Sequence, residues 1–336
     1  MRKILFAVIY LIFLAVLLEI LARGYYASGR GMSFLSTAGD QVYMWYPELK
    51  GLKEYSYDEG GFNVLLLGGS ALTEDWGEIP KYLREKSRSV LGKKANIVNL
   101  AAAAHGSLDS FYKYKLADGK RFDCVIFYHG INEVRANNVP PRLWKEDYSH
   151  YSWYEEVNFY FRHPGLRRAA MLLPYFLKHL LVQLDREVIR RDRYVPTHSP
   201  RPEWKRYGKD IKTKDSFRNN LLRIAGIAES RQEPLLVMTF AYYLPDGDEY
   251  DEDSPYVRSA GLWGEPENVV LGIRAHNEVV RELALGGDFM FLDQQKIIDR
   301  DRKYFKDICH FSGEGSEIFA SNIVDKVKNL IRLKKG

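Results

Sequence analysis

The strongest constraint on how this chain folds is an alternation of short apolar runs with stretches of helical period. The runs are residues 63–67, 96–100, 122–128, 234–240 and 289–292, each too short to stand as a helix. Continuous apolar runs, rather than strict in-out alternation, suit parallel strands covered on both faces. Between and after them, apolar residues recur at helical spacing: Ile79, Leu83 and Val90; then Ile273, Val280 and Leu283, with His276, in 269–285; then Ile318, Ile323, Val327 and Leu330. Strand-then-helix alternation predicts an α/β fold of three layers, α/β/α, around a five-stranded parallel sheet. A chain of 336 residues buries a substantial core, and 46% hydrophobic with 28% charged residues excludes wholesale disorder.

Ahead of this pattern lies one apolar run from Ile4 to Leu18, preceded by Arg2 and Lys3 and continued after Glu19 by Ile20-Leu21-Ala22. With Glu19 tolerated near one end, residues 1–23 just reach the length that spans a bilayer as an N-terminal transmembrane helix. A cleaved signal peptide is the competing reading, although Tyr25-Tyr26-Ala27 offers no small-x-small cleavage site. A buried soluble helix is the third. The favoured expectation is a single-pass anchor in the cell membrane with the catalytic domain extracytoplasmic; signal cleavage would leave that domain secreted or periplasmic. Basic residues flank both ends, so the bias toward a cytoplasmic N-terminus is small. Residues 24–60, rich in Gly, Tyr and Ser, read as a juxtamembrane connector, and 61–333 as the main domain.

The stretch from about 136 to 215 is too long for a loop and reads as a helical insertion in that domain. Leu173, Phe176, Leu177, Leu180, Leu181, Leu184 and Val188 recur there at helical spacing, and Arg162, Arg167, Arg168, Arg190, Arg191 and Arg193 crowd its ends. The plain expectation is a packed helix with a solvated, charged face. The sharper one is a cap over a site, or a surface resting on anionic lipid beside the anchor.

In a doubly wound sheet, ligands sit beyond the carboxyl ends of the strands. Polar residues gather at those ends here. The first strand leads into Gly68-Gly69-Ser70, the second into Ala104-His105-Gly106-Ser107, the third into Gly130-Ile131-Asn132-Glu133, and the fifth toward Asp307-Ile308-Cys309-His310. A serine nucleophile needs a base to take its proton and a third group to orient that base. Ser70 is the expected nucleophile and His310 the general base. Asp307, on the same short turn, is the group that orients His310. The backbone N–H groups of Ser70 and Gly106 and the side-chain amide of Asn132 are the expected oxyanion donors, each worth about 100- to 1000-fold in rate. This chemistry calls for no metal and no cofactor.

The set resembles the SGNH hydrolases, the GDSL esterase/lipase superfamily named for its Ser, Gly, Asn and His. Gly68-Gly69-Ser70-Ala71-Leu72 is similar to the first block, Gly106 after Asn99-Leu100 to the second, and Gly130-Ile131-Asn132-Glu133 to the third. Asp307-Ile308-Cys309-His310-Phe311-Ser312-Gly313-Glu314-Gly315 is similar to the last, including a Ser-x-x-Gly that starts the final helix. The resemblance covers roughly residues 61 to 333 without the insertion. It implies a flavodoxin-like sheet and hydrolysis of carboxylic esters or acyl groups on lipids, sugars or small molecules. The sequence departs from the family at two positions: Gly69 and Glu133 each stand where Asp is usual. A Ser-His-Asp enzyme of the α/β-hydrolase type would need glycine where Leu72 stands.

Other candidates are weaker. His105, His129 and His276 fit no zinc spacing, and His105 and His129 are more readily turn or packing residues than pocket walls. The acidic stretch from Asp246 to Asp253 lacks the ligand period and turn glycine of an EF-hand. Cys124 lies in a strand core and Cys309 beside His310, so neither forms part of a disulfide framework. Tyr242-Tyr243 offers stacking surface for a sugar, although core packing explains the pair equally well. A net charge of +5 without zinc-finger, bZIP or RNP-like patterns argues against a nucleic-acid partner. The expected activity is therefore a membrane-anchored serine esterase acting on a small-molecule, lipid or glycan ester through an acyl-serine. Two alternatives stay open: an O-acyltransferase acting on envelope glycans with the same triad, and a catalytically silent membrane-bound binding protein.

Overall fold

The computed structural model describes residues 1–189, 192–195, 200–245, 251–298 and 300–333. Of the residues singled out above, Arg190, Arg191, residues 246–250 and the side chain of Leu330 lie outside this set. The chain runs α1 (Arg2–Gly29), β1 (Phe62–Gly68), α2 (Ile79–Lys86), β2 (Ala95–Asn99), α3 (Ser107–Leu116), β3 (Cys124–Tyr128), α4 (Ile131–Val134), α5 (Ser152–Arg162) and α6 (Leu173–Leu184). It continues through α7 (Thr213–Ser230), β4 (Leu235–Met238), α8 (Pro266–Ala284), β5 (Met290–Leu292) and α9 (Gly313–Leu333), with shorter turns between. Two compact units result: Met1–Pro47 with Asp147–Val195, and Glu48–Glu146 with Pro196–Gly336.

The second unit holds the sheet. All neighbours are parallel and the order is β2-β1-β3-β4-β5, the flavodoxin-like order. β1 and β3 are buried along their whole length, which is why they read as unbroken apolar runs. Successive strand residues point to opposite faces. Phe127 meets Phe217 of α7 on one face, and Tyr128 meets Phe319 of α9 on the other, with ring centroids 6.0 and 4.8 Å apart. Helices therefore cover both faces, giving the expected three layers. β3 starts at Cys124 rather than at Phe122, whose N–H is taken by a side chain instead of by the sheet. The Phe122 N–H donates to Glu233, and the Asp123 carboxylate accepts from the Asn63 backbone and side chain, each at 2.9 Å.

In the first unit, α1 presents an almost continuous apolar surface through Ile4, Phe6, Leu11, Phe13, Leu17 and Leu21, all exposed. By length and composition it is one helix able to cross a membrane. Glu19, the carboxylate that interrupts the apolar run, has a structural use: it accepts from the Leu172 and Leu173 N–H groups at 3.0 and 2.8 Å, at the start of α6, and pairs with Arg23 at 2.8 Å. An acid at a helix N-terminus meets both unpaired N–H groups and the positive end of the dipole. α6 differs from expectation in which face is outside. Leu177, Leu180, Leu181 and Leu184 are exposed, whereas Tyr175, His179 and Val182 are buried. His179 is drawn inward by Tyr25 and Glu156, at 2.7 and 2.9 Å. Two of the flanking basic residues are paired, Arg162 with Asp147 and Arg193 with both Asp185 and Glu155.

Candidate active site

The order β2-β1-β3 puts the switch point of the sheet at β1, where the connections depart in opposite directions. Gly68 is in register with Tyr128 and Leu66 with Asn99, so three loops leave the sheet side by side. Gly69 must be small at this convergence. A Cβ there would lie 2.5 Å from Asn132 Nδ2 and 3.5 Å from the His105 carbonyl. Ser70 follows at the head of a short 3-10 turn, Ser70–Leu72, whose first N–H groups have no partner within the turn.

His310 arrives on a separate hairpin. Phe305 and Phe311 form an antiparallel bridge, the Lys306 N–H donates to the His310 carbonyl at 2.7 Å, and the Tyr243 N–H donates to the Ile308 carbonyl at 3.0 Å. The Ser312 hydroxyl accepts from the Gly315 N–H at 3.2 Å, capping α9, and a Cβ on Gly315 would collide with the Tyr304 carbonyl. Both residues of the Ser-x-x-Gly pattern thus fix where the hairpin ends.

The hairpin and the β1 turn meet. His310 Nε2 lies 2.7 Å from Ser70 Oγ, and His310 Nδ1 lies 2.6 Å from Asp307 Oδ2. The other Asp307 oxygen accepts from the Cys309 and His310 N–H groups at 2.9 and 2.8 Å, so the carboxylate is held before it touches the ring. Burial works to raise the Asp307 pKa, but the His310 hydrogen bond and charge, with the two N–H groups, hold it below the usual carboxylate range. Ser70 and His310 are nearly inaccessible. Asp307, Cys309 and His310 bring ligand-type atoms within 4.8 Å of one another. Both imidazole nitrogens are already committed, however, and burial with the nearby Asp307 charge pushes the Cys309 thiol far up, keeping it protonated.

The expected oxyanion donors fare differently from one another. The Asn132 amide donates to the His105 carbonyl at 2.8 Å, while its oxygen accepts from Trp263 Nε1 at 3.0 Å and Arg135 at 3.2 Å. These partners fix the amide plane beside Gly69. The Gly106 N–H, by contrast, donates to Asp109 Oδ2 at 2.8 Å, closing the first turn of α3. In this structure it is a helix-capping donor. A capping signal was present in the sequence, since an acid three residues after a cap position is its usual form.

Two features were missed by sequence reasoning. The Trp76 ring stacks on His310, with centroids 4.7 Å apart and planes at 26°, and is still 50% exposed. An isolated Trp in a polar loop carries no signal of such a contact. Beneath the His105 loop, the fully buried Lys113 ammonium reaches Glu48 at 2.9 Å, His105 Nδ1 at 3.0 Å and the Leu100 carbonyl. His129 and His276 are buried and hydrogen-bonded within the core. His129 bonds Ser110 at 2.7 Å, and burial drives its pKa well down. His276 lies between Thr213 and the Gly130 carbonyl, with burial lowering its pKa to about 4. Tyr242 and Tyr243 are buried core residues.

No family model and no curated protein matches the sequence. Among solved structures, the chain is similar to a GDSL-like lipase from Bacteroides thetaiotaomicron, at 12% identity over 87% of this chain and 98% of that one, TM-score 0.45. It is also similar to a lipase/acylhydrolase from Enterococcus faecalis, at 13% identity over 80% and 96%, TM-score 0.43. A variant of an acetyl xylan esterase from Geobacillus stearothermophilus matches at 13% identity over 80% and 95%, TM-score 0.43.

Proposed function

We propose that this chain is a membrane-anchored serine esterase of SGNH type that cleaves a carboxylic ester through an acyl-Ser70 intermediate. The observation that carries the reading is the unbroken relay from Asp307 through His310 to Ser70: a 2.6 Å contact within one turn, then a 2.7 Å contact between residues 240 apart in the chain. Such a relay lets His310 Nε2 take the Ser70 proton as Oγ bonds to the ester carbon. The charge that develops on the carbonyl oxygen faces the Ser70 N–H and the Asn132 amide. Collapse breaks the ester C–O bond, and the imidazolium returns its proton to the departing alkoxide. Water then repeats the sequence on the acyl-enzyme, with His310 as base, and releases Ser70 and the free acid.

Anchoring is supported by α1: at 1.5 Å per residue its apolar part, residues 4–22, is about 28 Å long, close to a hydrocarbon core of about 30 Å. In this reading Arg2 and Lys3 mark the cytoplasmic end, and the catalytic unit lies outside. A second reading, transfer of the acyl group to a sugar hydroxyl, is favoured by Trp76. Its half-exposed ring borders the base that must deprotonate the acceptor, and a flat apolar face there suits a sugar ring. Incubation of the purified chain in detergent with short-chain aryl esters, with and without oligosaccharide, tests both. Free acid as the main product supports hydrolysis, acylated sugar supports transfer, and no turnover of any ester refutes both.

A further inference from the structure

Glu133 follows Asn132 directly and has no part in the relay, yet it is almost completely buried. Its Oε1 accepts from the Ser107 N–H at the start of α3. It also fills the space in front of Gly106: a Cβ on that residue would stand 2.8 Å from Oε1 and 3.4 Å from the carboxyl carbon. The second oxygen, Oε2, is inaccessible and has no hydrogen-bond partner among the described residues. A buried carboxyl that uses one oxygen and strands the other is a costly arrangement, retained here between the two loops that frame the Asn132 amide.

We propose that Glu133 is a positioning residue for the oxyanion site, its carboxyl acting as a spacer that sets the distance between α4, which carries Asn132, and the Gly106 turn at the start of α3. Asn132 is then held from two sides. Its amide is tied to the His105 carbonyl on the loop before Gly106, and its backbone is braced through Glu133 against Ser107 just beyond Gly106. Asn220 of α7 completes the brace by donating to the Ser107 hydroxyl at 3.0 Å. The charge acting on Glu133 is that of Asp109 on α3; Arg135, in the turn after α4, and His276, on α8, are engaged elsewhere. Arg135 is directed to Asn132 and the Ala104 carbonyl, and His276 to the Gly130 carbonyl. Among the described residues, no ion pair to Glu133 forms. Burial accordingly pushes its pKa up to about 7, against the Ser107 hydrogen bonds and with help from Asp109. The spacer therefore works through its shape and its one accepting oxygen, and a neutral isostere replaces it.

This inference rests on the acyl-transfer reading of Ser70, and the test separates the two. Full-length Glu133→Ala, Glu133→Gln, Gly106→Ala and the Gly106→Ala/Glu133→Ala double variant are compared for kcat and KM on an aryl ester, with thermal unfolding as the check on folding. A misplaced donor is expected to cost about 100-fold in kcat. Glu133→Ala should show that loss with KM changed less than about threefold, and Glu133→Gln should restore most of it. Gly106→Ala should be impaired by its clash with Oε1, and removing the Glu133 side chain should relieve part of that loss, a non-additivity expected of residues in contact. The side-chain amide resonance of Asn132, assigned by its absence in Asn132→Asp, gives a readout that needs no turnover. It should move in Glu133→Ala and return in Glu133→Gln. An unmoved resonance, or additive losses confined to KM, overturns the positioning role. A wild type that turns over no ester while the resonance moves as expected overturns the acyl-transfer reading and leaves the spacer standing.

Discussion

The Glu48–Lys113 pair under the His105 loop makes a sharp prediction about acid stability. Both side chains are largely removed from water, and Lys113 is wholly so. Burial alone would raise the Glu48 pKa, but His105 and the Lys113 charge more than offset it, taking it from the ordinary 4.5 to about 2. A displacement of that size corresponds to about 3 kcal/mol of stability. The folded-state value lies below the unfolded one. The contribution is therefore complete above the unfolded pKa and is lost as pH falls toward the folded one, with about half gone by pH 3 on the same arithmetic. Glu48→Gln removes this titration and the carboxylate that pairs with the Lys113 ammonium. Urea unfolding of the full chain in detergent, followed by tryptophan fluorescence, should put the variant about 3 kcal/mol below wild type near neutrality. The gap should narrow steadily between about pH 5 and pH 3. Other carboxylates titrate in that range too, but they cancel in the difference. A gap that stays constant with pH would falsify the pairing.

Three further outcomes follow from the site. Asp307→Asn keeps the shape of the relay but no longer stabilises the imidazolium, so kcat should fall about 10⁴-fold with little change in KM, and a fall under tenfold would contradict the relay. Gly69→Ala drives a Cβ to 2.5 Å from Asn132 Nδ2, so kcat should drop about 100-fold while thermal unfolding shifts only a few degrees; unchanged kcat would show that Asn132 has no role at the oxyanion. Trp76→Ala removes the ring stacked on His310, so kcat should fall roughly 3- to 30-fold with Ser70 still reactive, and a variant equal to wild type would reduce the stack to simple contact.

What the sequence made legible divides along physical lines. The central strands were readable because parallel strands buried on both faces are nearly continuously apolar, and residues 62–68 and 124–128 are buried throughout. The relay was readable because each member falls in a short motif after a strand or on one turn. The Gly106 donor was harder to read, because the fate of a backbone N–H depends on where α3 starts, and Asp109 had claimed it. Trp76 and Lys113 were invisible for opposite reasons. An aromatic residue in a polar loop has no period to betray its partner, and a lysine on a helix ordinarily lies in water. The outward leucines of α6 show the limit of periodicity: it located the helix but not which face is covered, because His179 found partners in Tyr25 and Glu156.

An activated Ser70 nucleophile should react covalently with an electrophile that mimics an ester. Intact-mass analysis after exposure to a fluorophosphonate probe, followed by peptide mapping, tests it most directly. The relay predicts one adduct per chain, on Ser70, with labelling lost in Ser70→Ala and strongly slowed in His310→Ala while both variants stay folded. Labelling that persists in Ser70→Ala, or a wild type that takes up no probe, would contradict it.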